Sequence, residues 1–279
     1  MTVGEWLAAA EAKLRTAKAP NPSRDALLLA SHVLQRDKAA VLAHPEAPIQ
    51  ASAVLELESL LGRREKREPL QYIRGVHEFW GLLVRVGPGC LIPRPETEHL
   101  VEATLAAVRQ IKAPKILEVG TGSGCVLMAL GKERPDAVLV GVEKEPEALV
   151  WSYRNLGWMA AVQLMAGDLA LDPPVTGFDA IVSNPPYITN AEWKSLPPEV
   201  RRYEPAAALR CGREPLGPYR QLAGWAELAL NRGGSLLCEL GTAQARRASA
   251  LRHLSPSLRW VEGVRDLSGR LRVGVWRKE

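Results

Sequence analysis

From residue 115 onward, short apolar runs alternate with stretches of helical periodicity, and this alternation limits the fold more than any other feature of the chain. The apolar runs are residues 115–119, 137–143, 162–166, 178–183 and 235–240, with helical stretches near 124–132, 145–156, 217–231 and 242–253. Strands apolar on both faces and separated by helices form βαβ units, which predicts a mostly parallel sheet covered on both sides. Two further β-prone runs, 259–264 and 271–276, are close enough together to predict an antiparallel hairpin at the sheet edge.

The part before this alternation has a different period. Val3, Trp6, Leu7, Ala10 and Leu14 recur at helical spacing, and Asn21-Pro22 reads as an N-cap followed by proline at the first helical position. Leu27, Leu28, Leu29, Val33 and Leu34 are dense enough to predict burial, and residues 50–68 make a third amphipathic stretch. The charged run 63–67 within it reads as a solvated helix face. Glycines at 75, 81, 87 and 89 then punctuate short β-prone runs such as 82–86, and a helix is predicted to begin near Pro95, with Glu96 and Glu98 in its first turn. The domains expected are therefore a helical one over 1–70, a hairpin-like linker over 71–95, and an α/β domain over 96–279.

At 279 residues and 47% hydrophobic, the chain can bury a core in each domain. A net charge of +5 suits an ordinary soluble surface and is no nucleic-acid footprint. Cys90, Cys125, Cys211 and Cys238 show neither a disulfide framework nor metal-ligand spacing, so reduced thiols are expected and no metal is implied. No run reaches the ~20 apolar residues of a membrane span, and the N-terminal apolar run is too short for a signal peptide. The expectation is a soluble, cytoplasmic monomer.

Three motifs carry chemistry. Gly120-Thr121-Gly122-Ser123-Gly124 follows a predicted strand and opens a helix, where glycines allow positive φ and close approach of a ligand to the backbone. The pattern suits a nucleoside-type cofactor without saying which. Glu143 ends the next strand, placed to accept from ribose hydroxyls, and Asp168 with Leu169 follows the third, placed to hold an adenine amino group and ring. Asn184-Pro185-Pro186-Tyr187 follows the strand 178–183, which should flank the same crevice.

That tetrapeptide suits an amide or amine nitrogen. An amide nitrogen is a poor nucleophile because its lone pair is delocalised, so a site must accept both N–H bonds and aim the remaining density at a methyl group. The Asn184 side-chain oxygen and the Pro185 carbonyl can accept them. The prolines hold the segment extended and bring no competing N–H, while Tyr187 offers a flat face. A methyltransferase acting on a flipped nucleic-acid base could use the same pocket, but the sequence shows no clustered basic cleft. A nicotinamide-dependent dehydrogenase would leave residues 184–187 without a purpose and calls for G-x-G-x-x-G spacing, which is absent.

Residues 184–187 together with the glycine loop 120–124 resemble the signature of class I amino-methyltransferases. Added to them are Leu91-Ile92-Pro93-Arg94-Pro95-Glu96-Thr97-Glu98, Tyr72-Ile73-Arg74-Gly75, Tyr203-Glu204-Pro205 with Ala208-Leu209, and Glu239-Leu240-Gly241 with Gln244. The full set resembles the protein-glutamine N-methyltransferases of the HemK/PrmC family, which modify peptide chain release factors. The resemblance implies a Rossmann-like catalytic domain, S-adenosylmethionine as methyl donor, a release factor as protein partner, and a substrate-docking role for the helical domain. Another glutamine-bearing protein, such as a ribosomal protein, would use the same chemistry. The resemblance places Gly120, Thr121, Gly122, Ser123, Gly124, Glu143, Asp168, Leu169 and Asn184 at the cofactor, and Asn184, Pro185, Pro186 and Tyr187 at the substrate amide. Glu143 stands where the family usually has aspartate, and Leu169 replaces a common aromatic.

Overall fold

The computed structural model describes residues 1–279, the side chain of Ala248 excepted. The chain divides into two compact units, Met1–Val76 with Pro197–Tyr203, and His77–Leu196 with Glu204–Glu279.

The first unit is helical, with helices over Val3–Thr16, Pro22–Leu34, Lys38–Ala43, Ala51–Glu65, Leu70–Arg74 and Pro198–Tyr203. Thr2 and Glu5 form a reciprocal capping box that starts the first helix, whose buried stripe is Val3, Trp6, Ala10 and Leu14. The second helix begins on Pro22, but Asn21 makes no capping bond. At φ −137° and ψ 69° its backbone lies outside the extended geometry that aims a cap oxygen at the first turn. That helix buries Asp25, Ala26, Leu29 and Ala30, and leaves Leu27, Leu28, Val33 and Leu34 half-buried, because one helix offers the core only one face.

The run 63–67 is solvated only in part: Glu65 and Lys66 are exposed as expected, but Arg64 is buried and Arg67 half-buried. Arg64 follows Leu57 and Leu61 at i+7 and i+3, so helical periodicity carries it inward, where it is 4% exposed. Its guanidinium is satisfied on three sides. Nε donates to Asp25 at 2.7 Å, Nη1 to the Glu68 carbonyl at 2.9 Å, and Nη2 to Glu199 at 3.1 Å. Arg67 grips the same Glu199 carboxylate bidentately.

A hairpin of β1 (Val76–Phe79) and β2 (Leu82–Arg85) follows, all of it but Val76 in the second unit. Trp80 and Gly81 both have positive φ, as a two-residue hairpin turn requires. A short 3₁₀ turn over Pro95–Thr97 leads into the helix Glu98–Ala107. The main sheet contains β3 (Lys115–Val119), β4 (Val138–Glu143), β5 (Val162–Ala166), β6 (Phe178–Ser183), β7 (Leu230–Glu239), β8 (Leu258–Arg265) and β9 (Leu271–Lys278), in the order β5-β4-β3-β6-β7-β9-β8. β3 to β7 pair in parallel, and β9 joins β7 and β8 antiparallel. The architecture is therefore the Rossmann-like, mostly parallel sheet with a C-terminal antiparallel hairpin that the sequence predicts. Trp260 and Trp276 lock that hairpin edge-to-face, with centroids 4.9 Å apart.

Two boundaries differ from expectation. The helix Gly217–Ala229 ends two residues early and β7 begins at Leu230, five residues sooner than the apolar run. Gly234 makes this possible, since an added Cβ would lie 2.9–3.1 Å from the carbonyls of Asn231, Asp179 and Phe178. The stretch 242–253 is not one helix but two single turns, Thr242–Ala245 and Ala248–Leu251. Among the described residues, no helix is long and apolar enough to cross a membrane.

Candidate active site

The sheet order reverses between β3 and β6, and pairing of Val119 with both Val142 and Ser183 brings the ends of β3, β4 and β6 to one level. The loops leaving these three strands line a cleft of about 410 Å³. Ligands of open parallel sheets sit at such a reversal.

Gly120, Gly122 and Gly124 all have positive φ, at 77°, 56° and 79°. Their surroundings differ. A Cβ on Gly120 or Gly122 would meet no atom within 4 Å, whereas one on Gly124 would meet Leu156 Cδ1 at 2.6 Å. The first two therefore border open space and the third packs the following helix. The loop is held from behind: Ser152 Oγ donates to the Gly122 carbonyl and Asn155 Nδ2 to that of Ser123. Glu143 stands at the end of β4 with its carboxylate clamped, Oε2 accepting from Gly122 N at 2.8 Å and Oε1 from Glu145 N at 2.9 Å. Each oxygen retains a lone pair for a ligand hydroxyl. Asp168 and Leu169 line the same cleft. The Ala170 amide and Lys144 hold the Asp168 carboxyl below the usual carboxylate range.

Asn184 and Pro186 line the cleft as well, while Gly124, Pro185 and Tyr187 lie just off its lining. The Tyr187 ring packs so closely on Gly241 that a Cβ there would be 2.5 Å from Cδ2. Its hydroxyl donates to Glu239 Oε1 at 3.2 Å. Burial, then the charge of Glu239, pushes the Tyr187 pKa up, so the phenol keeps its proton. The other Glu239 oxygen accepts from Thr97 Oγ1 at 2.6 Å, and Thr97 Oγ1 accepts from Asn184 Nδ2 at 3.2 Å. Fully buried Gln244 donates to the carbonyls of Tyr187 and Pro215, tying the tetrapeptide down from below.

Arg94 also lines the cleft, paired with buried Glu204 at 2.6 Å, while Glu204 Oε2 accepts from Ile92 N. Glu118 lines the floor at 2% exposure, and its Oε2 has no hydrogen-bond partner among the described residues. Burial pushes the Glu118 carboxyl well up, against the helix-start N–H of Leu127 that stabilises its charge.

Comparison with known proteins follows these features closely. Residues 5–75 match the model of the PrmC N-terminal domain and residues 97–196 that of the methyltransferase small domain. The chain is 40% identical over 282 residues to the release factor glutamine methyltransferase of Rhodospirillum rubrum, covering 100% of this chain and 86% of that one. The chain belongs to the release factor glutamine methyltransferase family. The Escherichia coli member is 34% identical over 279 residues and 99% of both chains. The Geobacter sulfurreducens member is 44% identical over 218 residues, 78% of this chain and 76% of that one. Among solved structures, the hMettl16 catalytic domain in complex with a 3′UTR hairpin superposes with a TM-score of 0.53 at 13% identity, over 81% of this chain and 82% of that one, a likeness of fold alone.

Within this family member, sequence reasoning brings the glycine loop, Glu143, Asp168, Leu169 and Asn184 to one cleft; the structure adds Glu118, Thr97 and Arg94 to its lining, with Glu204 and Glu239 holding Arg94 and Thr97 from off the lining. The signal for Glu118 and Glu239 is an acid inside an otherwise apolar run, in Ile116-Leu117-Glu118-Val119 and Leu237-Cys238-Glu239-Leu240. A carboxylate at such a place is costly unless something needs it. Thr97 and Glu204 stand inside quoted motifs, with no local cue to their partners 142 and 110 residues away.

Proposed function

We propose that the protein transfers a methyl group from S-adenosylmethionine to the side-chain amide nitrogen of a glutamine in a peptide chain release factor. The observation that carries this reading is Asn184, directly after β6 and in the cleft lining, with its Nδ2 engaged by Thr97 so that Oδ1 is the group left to accept. The full-length relatives named release factor glutamine methyltransferase support the substrate class.

The cleft fits the donor. The space beside Gly120 and Gly122 admits a ligand against the backbone, Glu143 presents a fixed carboxylate for ribose hydroxyls, and Asp168 with Leu169 offers an acceptor and an aliphatic surface for adenine. Glu118, with an unused carboxylate oxygen on the floor, suits a cationic amino group. The bound donor supplies an electrophilic methyl on sulfur.

The chain's own part is orientation. Asn184 Oδ1 and the Pro185 carbonyl each accept one N–H of the substrate amide, which fixes its plane and turns its face toward the methyl. Pro186 and Tyr187 shape the wall behind. Positioning of this kind can supply most of the rate enhancement in a displacement between two bound partners. As the nitrogen–methyl bond forms and the sulfur–methyl bond breaks, the amide becomes an N-protonated cation, which is strongly acidic and loses its extra proton to water, so the reading assigns no general base. The helices of Met1–Val76 carry none of these groups and are assigned to docking the protein substrate; hydrogen exchange should show protection there when release factor is added.

Incubation with methyl-labelled donor and release factor, ribosomal protein or duplex DNA tests the reading. Label is expected on a release factor glutamine, and label on DNA alone would overturn it.

A further inference from the structure

We propose that Glu239 is a positioning residue for methyl transfer, setting through Thr97 which way round the Asn184 amide faces. The proposal rests on the reading that Asn184 receives a glutamine amide. Both Glu239 oxygens serve as acceptors, Oε2 from the Thr97 hydroxyl and Oε1 from that of Tyr187. Thr97 has one hydroxyl hydrogen, and at 2.6 Å it is given to Glu239 Oε2. The Thr97 oxygen is left only lone pairs, so the Asn184 group facing it at 3.2 Å must be the NH₂ and not the carbonyl. Oδ1 then points the other way as the acceptor an incoming N–H requires. Reversing any link turns the amide over and sets a donor against a donor. The second Glu239 oxygen fixes the far end of the tetrapeptide through the Tyr187 hydroxyl. Glu239 itself is 2% exposed and lies off the cleft lining, so it acts through these two side chains and not on the substrate.

The test compares the full-length wild type with Thr97→Val, Thr97→Ser, Glu239→Gln and the Thr97→Val/Glu239→Gln double variant. Valine keeps the shape of threonine without its hydroxyl, and glutamine keeps the shape of glutamate without its one-way polarity. Both should slow single-turnover transfer to release factor on the order of 10- to 100-fold, the scale of a misplaced reactant, with affinity for S-adenosylhomocysteine unchanged. Thr97→Ser should restore the rate, and the double variant should be no slower than the slower single, because both cut one chain. Wild-type rates in Thr97→Val and Glu239→Gln, a Thr97→Ser as slow as the valine variant, or additive losses would each overturn the proposal. Side-chain ¹⁵N spectra give a readout independent of turnover: the Asn184 Nδ2 protons should exchange slowly in wild type and Thr97→Ser, and fast in Thr97→Val. A wild type that fails to methylate release factor would sink the functional reading, while the exchange measurement still decides the amide's direction. Equal exchange in wild type and Thr97→Val would overturn the network itself.

Discussion

Asn184 is legible in the sequence because its neighbours announce it, two prolines and an aromatic directly after an apolar strand. Glu239 is not, since its partners Thr97 and Tyr187 come from elements 142 and 52 residues away and only the fold joins them. Asn184→Ala should leave the fold and most of the cofactor affinity intact and slow transfer on the order of 10²–10³-fold, about 2.7–4 kcal/mol, the scale for losing one preorganised polar contact. Single-turnover measurement at saturating donor checks it. On the sequence alone Tyr187→Phe should be mild, since only the ring face has a role. The hydroxyl's bond to Glu239 predicts a clear loss of rate instead, with Tyr187→Ala worse still. Glu118 gives a pH test. Its folded pKa is raised by burial, so the protonated form is favoured in the native state. The stability this contributes is fully present below the unfolded value and is lost as pH rises through the folded one. Without bound donor, Glu118→Gln should therefore match wild type in Tm at acid pH and exceed it at neutral pH. A wild type more stable than the variant at neutral pH would mean the carboxylate has a partner.

Strands and helices were legible where burial is two-sided and long, as in β3, β4 and β6, whose apolar runs coincide with the observed elements to within one residue. They were not legible where backbone geometry decides. β7 reaches back through Gly233 and Gly234 to Leu230 because glycine alone tolerates the approach of three carbonyls there, and no hydrophobic pattern records that. The same distinction separates the three glycines of the loop after β3. Gly120→Ala should cost about 1–2 kcal/mol, the scale of forcing a side chain into left-handed backbone. Gly124→Ala should lose a further 1–3 kcal/mol or so from overpacking against Leu156. Denaturant unfolding of both variants measures the difference, and equal losses would show that Leu156 yields freely.

The whole molecule joins an α/β unit to a helical one, and the sequence changes its hydrophobic period near residue 70. The inclusion of Pro197–Tyr203 in the helical unit was not readable, because it depends on Arg64 being buried in a run that looks solvent-facing. Arg64→Ala leaves Asp25 without its cation and weakens the hold on Glu199, and should cost about 3–5 kcal/mol, the scale for breaking a buried ion pair on one side. Thermal unfolding checks it, and a loss near that of a surface salt bridge would contradict the burial argument. The central claim is methyl transfer to a glutamine amide held by Asn184. It is tested most directly by mass spectrometry of release factor after incubation with S-adenosylmethionine and either wild type or Asn184→Ala. The account predicts a single added methyl on one glutamine side-chain nitrogen with wild type and almost none with the variant in the same time. Equal methylation by both, or methyl on any other atom, would contradict it.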